Sequence, residues 1–227
     1  MAEPPRGDAG PRRFDALVTD WGGVLTTRIS DSFEAFVADH AVDPEVLNRV
    51  LHDAYREGGT DDHPVRAIET GQMTEEDFFV ALAALLSEGL DVPIDPSGMK
   101  ERLFALVKPE ERMLAAVRAV RAAGVRTALV SNSWGRSGFP VEELAELFDE
   151  VVISGEVGLR KPDPAIYRLA AERLGVPVER CVFVDDIRSN IDGAEAVGMR
   201  GLHHLEMDTT LRAFEELFGV SLEAVRP

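Results

Sequence analysis

The feature that most constrains this chain is a rhythm: short apolar runs that each stop at a polar or glycine cluster, with helical patterns between them. Ala16-Leu17-Val18 runs into Thr19-Asp20, and Thr127-Ala128-Leu129-Val130 into Ser131-Asn132. Val151-Val152-Ile153 runs into Ser154-Gly155, and Cys181-Val182-Phe183-Val184 into Asp185-Asp186. Gly201-Leu202, just after Met199-Arg200, is a last candidate. Near-continuous apolar strands suit a parallel sheet covered on both faces, because neither face is left to water. The connecting segments carry helix signals. Pro109-Glu110-Glu111 opens a helix with Met113, Leu114, Val117 and Val120 on one face, which Gly124 ends. Asp163-Pro164 gives an N-cap and a first-turn proline ahead of Ile166, Leu169 and Leu174. Ser189 to Val197 is a short helix closed by Gly198. This alternation implies right-handed crossovers and an α/β fold, a Rossmann-like doubly wound parallel sheet.

Residues from about 30 to 107 break the rhythm, with helical patterns and no convincing strand. Asp43-Pro44 starts one helix, and Thr74-Glu75-Glu76-Asp77 starts another with Phe78, Leu82, Leu85 and Leu86 as its apolar face. A third runs near Met99 to Leu106. The segment is too long for a loop and reads as a helical cap inserted after the first strand. The expected division is a disordered tail at 1–13, a core at 14–29 and 108–227, and the cap at 30–107. The stretch Thr209 to Pro227, with Leu211, Phe214, Leu217 and Phe218 at helical spacing, reads as an amphipathic helix docked on the core.

Among 227 residues, Asp and Glu outnumber Lys and Arg by 41 to 24, a formal charge of −17. Such a field repels nucleic acid and anionic lipid, so neither is an expected partner. No apolar run approaches the roughly 20 residues of a membrane span. The opening MAEPPRGDAGPRR lacks the apolar centre of a signal peptide, and the expected location is the cytoplasm. The single cysteine, Cys181, excludes an internal disulfide and sits in an apolar run, as a small buried side chain would.

In open α/β sheets ligands bind beyond the carboxyl ends of the strands, and here three strands end in polar groups: Asp20, Ser131-Asn132 and Asp185-Asp186. Clustered carboxylates raise one another's pKa unless a cation sits among them. Hard oxygen ligands suit Mg²⁺, which keeps several waters and shares its shell with phosphate, and no His or Cys cluster has zinc spacing. Lys161, in Gly158-Leu159-Arg160-Lys161-Pro162-Asp163, is placed to neutralise both a carboxylate and a transferring phosphoryl group. Ser131 can donate to a phosphate oxygen, and the glycines of Trp21-Gly22-Gly23 let the backbone turn close to a ligand.

These segments, in this order, resemble the haloacid dehalogenase superfamily: Asp20-Trp21-Gly22-Gly23-Val24-Leu25, Val130-Ser131-Asn132, Arg160-Lys161-Pro162-Asp163, and Val184-Asp185-Asp186-Ile187-Arg188-Ser189-Asn190. The insert is similar to a C1-type cap. The Asp-Asp-x-x-x-Asn form and Gly71-Gln72-Met73-Thr74 are most similar to the phosphatase domain of bifunctional epoxide hydrolases and related sugar-phosphate phosphatases. The resemblance implies that Asp20 attacks phosphorus to form an aspartyl-phosphate, while Ser131 and Lys161 hold the phosphoryl oxygens. It implies Mg²⁺ held by Asp186 with Asp185, Asp20 and the carbonyl of Gly22. Asn190 would orient that loop, beside the phosphate. Asn132 would contact phosphate or substrate, and Trp21, Gly22 and Gly23 would line the substrate side.

The chain departs from the family at Gly22, where phosphatases usually carry a second Asp that protonates the leaving group. General acid catalysis is typically worth about 10²–10⁴-fold, so the expected enzyme is slow, and least so on leaving groups of low pKa. Asp61, Asp62 and His63 are candidate substitutes from the cap. The expected function is a Mg²⁺-dependent phosphatase of a small phosphorylated metabolite, as a monomer or homodimer. The alternatives are a catalytically silent binding or regulatory protein of the same fold, and a hydrolytic 2-haloacid dehalogenase in which Asp20 attacks carbon.

Overall fold

The computed structural model describes residues 13–56, 62–135 and 141–225, so Asp61 and residues 1–12 of the expected tail lie outside the described residues. Five strands pair in parallel as one sheet: β1 (Ala16–Thr19), β2 (Arg126–Ser131), β3 (Glu150–Ile153), β4 (Cys181–Asp185) and β5 (Arg200–His203). Their order is β3-β2-β1-β4-β5. The chain walks outward from β1 to β3, then returns to lay β4 and β5 on the other side. The direction therefore reverses at the carboxyl end of β1, where loops splay apart and leave a crevice.

Between β1 and β2 lie α1 (Ile29–Asp39), α2 (Pro44–Tyr55), α3 (Pro64–Glu69), α4 (Glu75–Leu86), α5 (Met99–Leu103) and α6 (Glu111–Ala122). Helix α7 (Val141–Leu147) leads from β2 to β3, and the one-turn α8 (Ser154–Val157) and α9 (Pro164–Leu174) from β3 to β4. Helix α10 (Arg188–Ala196) joins β4 to β5, and α11 (Met207–Phe218) follows. No helix among the described residues is long and apolar enough to cross a membrane.

Successive side chains of a strand point to opposite faces, which explains the unbroken apolar runs. Leu17, Leu129, Val182 and Val184 pack with Met113, Val117 and Val120 of α6 and Phe214 of α11. Ala16, Val18, Val130 and Phe183 pack on the other face with Ile166 and Tyr167 of α9 and Ile191 of α10. Cys181 lies in that second layer, buried, its thiol pushed up to about 12 first by burial and then by Asp15.

The residues between β1 and α6 have an apolar cluster of their own, in which Phe33, Phe36, Val46, Leu47, Phe78, Leu82, Leu86 and Met99 come from α1, α2, α4 and α5. Thr74 caps α4 by accepting from the Asp77 amide while its hydroxyl donates to the Asp77 carboxylate at 2.7 Å. Asp43 caps α2 and Asp163 caps α9 by accepting from the Glu45 and Ala165 amides, and each is followed by proline. At the neck of this helical segment Thr26 bridges Pro109, and the Glu110 amide donates to the Leu25 carbonyl at 2.9 Å. Elsewhere α3 lies against α8. Gly71, at φ 72°, brings its α-carbon so near that a Cβ would stand 2.3 Å from the Gly155 carbonyl oxygen.

Two helices of this segment, α1 and α3, were not anticipated. The helix expected over Met99–Leu106 stops at Leu103, with Phe104 in a non-helical conformation. The C-terminal helix begins at Met207 and ends at Phe218, because Gly219 adopts φ 66° and caps it.

Candidate active site

Asp20 is the first residue beyond β1, and its amide donates to the Val184 carbonyl at 2.9 Å, which binds the two central strands at their carboxyl ends. Asp185 ends β4, and Asp186 follows it. Lys161 comes from the segment between α8 and α9. Its ammonium stands 2.7 Å from Asp20 Oδ1 and 2.7 Å from Asp185 Oδ2, with side-chain exposures of 1%, 10% and 0% for the three residues. The site is thus a buried cation between two buried carboxylates, with a third carboxylate beside them.

Its charges are strongly perturbed. Asp20 is raised to about 7, first by burial and then by Asp185 and Asp186, with Lys161 opposing. Asp186 is raised to about 6, again by burial first and Asp185 second. For Lys161 burial favours the neutral amine, yet Asp185 and Asp20 outweigh it and leave the pKa above its ordinary value.

Asp185 is fully engaged. Oδ1 accepts from the Ile187 amide at 2.8 Å and from Asn190 Nδ2 at 3.1 Å, and Oδ2 accepts from Asn190 at 3.0 Å and from Lys161. Asp186 is held through its backbone, whose carbonyl accepts from His203 Nε2 at 2.9 Å. Gly23, at φ 74°, leaves room for the Asp186 carboxylate: a Cβ there would lie 2.2 Å from Asp186 Oδ2. One oxygen from each of Asp20, Asp185 and Asp186 falls within 4.8 Å of the others, a hard-oxygen set of a size that fits a small divalent cation. Asp20 and Asp186 are the freer ligands in it.

Ser131 ends β2, buried, with its hydroxyl donating only a 3.4 Å bond to the Asn132 carbonyl. Asn132 serves Lys161 instead of opening toward a ligand. Its Oδ1 accepts from the Lys161 amide at 2.8 Å, and its Nδ2 donates to the Lys161 carbonyl at 3.1 Å. Asn190 likewise spends its amide on Asp185. Trp21 is partly buried, packed against the cluster beneath α6 and α11.

At Gly22, where a Cβ would point, Cδ1 of Ile29 stands 2.3 Å away. The place of a second aspartate side chain is therefore filled by an aliphatic tip from α1. His63 caps α3, its Nδ1 accepting from the Val65 amide at 3.3 Å, which leaves that nitrogen no part in proton transfer while the cap holds.

Sequence reading missed the centre of the contact between the helical segment and the sheet. Glu69, 1% exposed, accepts from Tyr55, Trp134, Arg160 and Asn132. No local signal marks it, since a glutamate at the end of a short helix looks like surface.

A family model described as haloacid dehalogenase-like hydrolase matches residues 14–198. The bifunctional epoxide hydrolase 2 of Sus scrofa is 27% identical over 76% of this chain and 33% of its own length. A sesquiterpene phosphatase of Aspergillus oryzae is 29% identical over 91% of this chain and 97% of its own length. The chain spans only 20% to 33% of the first, longer relatives it matches. A HAD family enzyme of Bacteroides thetaiotaomicron, solved in complex with magnesium and inorganic phosphate, superposes with a TM-score of 0.60 at 18% identity, over 87% of this chain and 98% of that one. That likeness is one of fold.

Proposed function

Because the chain belongs to the haloacid dehalogenase-like hydrolases, we propose that it is a Mg²⁺-dependent phosphatase of a small phosphorylated metabolite. The observation that carries this reading is Lys161 held between Asp20 and Asp185 with Asp186 alongside. The chain's own similarity to a sesquiterpene phosphatase supports it as well. A metal-free carbon attack of the dehalogenase kind has no use for three convergent carboxylates.

Lys161 engages Oδ1 of Asp20, which leaves Oδ2 outside that ion pair as the attacking atom. An O–P bond forms at Asp20 as the bond from phosphorus to the leaving oxygen breaks, and that oxygen departs with the electron pair. Two of the three ammonium protons of Lys161 face carboxylates; the third is available to a phosphoryl oxygen. The Ser131 hydroxyl, weakly bonded at rest, rotates to a second phosphoryl oxygen. Water then attacks phosphorus, its proton passing to a phosphoryl oxygen, and inorganic phosphate leaves the restored carboxylate. Mg²⁺, held by Asp20, Asp186 and the Gly22 carbonyl, with Asp185 beside them, would neutralise charge on the transferring group. Residues 30–107 act as the cap that shapes the substrate side, and the protein works in the cytoplasm.

With Gly22 and the Ile29 tip above it, nothing at that position protonates the leaving oxygen. Substrates whose leaving group is stable as an anion are therefore favoured. The same observation supports a second reading, a silent protein that binds phosphate and does not turn it over.

Hydrolysis of p-nitrophenyl phosphate and of a panel of sugar and acyl phosphates, with and without Mg²⁺, separates the two. Metal-dependent turnover is expected; phosphate binding without turnover on any of them would favour the silent protein. The steric argument is tested with Gly22→Asp alone and with Ile29→Ala. The single variant is expected to gain less, since the Ile29 tip must first turn aside. The double variant is expected to gain up to about 10²-fold on alkyl phosphates and little on p-nitrophenyl phosphate. An equal gain by Gly22→Asp alone would show that Ile29 does not block the position.

A further inference from the structure

Four side chains from separate parts of the chain meet at Glu69. Tyr55 Oη, at the end of α2, donates to Oε1 at 2.6 Å, and Trp134 Nε1, beyond β2, donates to it at 3.2 Å. Arg160 Nε donates to Oε2 at 2.6 Å and Asn132 Nδ2 at 3.4 Å. The Arg160 guanidinium also lies 4.8 Å from the centre of the Tyr55 ring and donates to the Ala54 carbonyl at 3.3 Å. The ion pair is sealed, with side-chain exposures of 12% for Arg160 and 1% for Glu69.

Two of these partners, Arg160 and Asn132, lead straight to Lys161. Arg160 precedes it in the chain. Asn132 grips its peptide from both sides, and that grip works in one orientation of the amide only. Oδ1 must face the Lys161 N–H, and Nδ2 must face both the Lys161 carbonyl and Glu69. Glu69 thus rewards the orientation that serves Lys161, whose ammonium is 2.7 Å from Asp20.

We propose that Glu69, on the helical segment, is a positioning residue that sets Asn132 and the Lys161 backbone, and through them the ammonium on Asp20. The kinetic part of this inference rests on the phosphatase reading; the structural part does not. Glu69→Gln keeps the shape but sets an amide NH₂ against donors in either orientation: against Arg160 and Asn132 in the place of Oε2, or against Trp134 in the place of Oε1, where the Tyr55 hydroxyl alone can turn to accept. Tyr55→Phe removes one donor and leaves the carboxylate in place.

Both variants are made in the full chain, assayed on p-nitrophenyl phosphate with Mg²⁺ per folded protein, and Glu69→Gln is crystallised. The expected result is a fall in kcat of about 10-fold to 10²-fold for Glu69→Gln and roughly 3-fold for Tyr55→Phe, with KM moved less than about 2-fold. A role in folding alone would lower the melting temperature and leave kcat per folded protein intact, which would overturn the proposal. So would a crystal structure of Glu69→Gln in which Asn132 still clasps the Lys161 peptide and the ammonium still sits on Asp20. If the wild-type protein turns over no phosphate, the phosphatase reading fails, and the crystal structure still decides the role of Glu69. If Glu69→Gln does not fold, an unchanged kcat in Tyr55→Phe overturns the proposal, and the expected fall sustains it.

Discussion

Asp20→Asn is expected to lower kcat on p-nitrophenyl phosphate in Mg²⁺ by about 10⁴-fold or more, because a neutral amide cannot form and release the phosphoryl bond. The loss should be chemical and not conformational. Asn has the same shape and can still accept from the Lys161 ammonium through Oδ1. The replacement also removes a carboxylate that burial, Asp185 and Asp186 already push up to about 7. A metal-free melting curve should therefore show the variant at least as stable as the parent, a common trade at sites built from opposed charges. Retained Mg²⁺-dependent turnover would remove Asp20 from the role of nucleophile. A collapse of the melting temperature would make the activity loss uninformative about chemistry and would contradict the electrostatic account.

Lys161→Met is expected to be the most destabilising single change at the site. The ammonium is buried with Asp20 and Asp185, and Met leaves both carboxylates without a counter-charge. Removing one partner of a buried pair typically costs about 3–5 kcal/mol. For a chain of this size each kcal/mol moves the melting temperature by roughly 2–4 °C, so a drop of about 6–20 °C is expected in metal-free buffer. Added Mg²⁺ should recover part of the drop, because a cation among the same oxygens replaces some of the lost charge. Activity should remain lost, since the Ser131 hydroxyl is then the one side-chain donor left of the two assigned to the phosphoryl oxygens, and no ammonium offsets their charge. A melting temperature within about 2 °C of the parent would mean that the three carboxylates bind protons in place of Lys161, and that the ammonium is not what holds them together.

The sheet was legible because its signal is local: an apolar run that stops dead at Asp20, Ser131 or Asp185 states both the strand and the position of its end. Helix α4 was legible for the same reason, with Thr74 and Asp77 writing its start and four apolar residues its face. Helix α3 was not, since six residues are too few to show a period. Its missed assignment hid Glu69, which looks like an ordinary solvated carboxylate until folding brings Tyr55, Trp134 and Arg160 to it. The family resemblance implies Asn190 as the residue that orients the Asp185-Asp186 loop and Asn132 as a phosphate or substrate contact. The clamp that Asn132 forms on the Lys161 peptide depends on an orientation that no spacing encodes. Ile29 shows the same limit: Gly22 is plain in the chain, while the methyl that fills its space comes from the start of α1 and becomes visible only in three dimensions.

The placement of β1 in the middle of the sheet also bears on how the protein is made. Its two neighbours pair through Ala16↔Arg126 and Ala16↔Cys181, contacts between residues far apart in the chain. On a ribosome adding about 5–20 residues per second, β1, which leads into Asp20, emerges roughly ten to thirty seconds before β4 is available to flank it. During that interval a short, largely apolar strand has an unpaired edge, the kind of surface that associates with other nascent chains. Synthesis that stalls between β1 and β4 should therefore yield aggregates in preference to a partly active fragment.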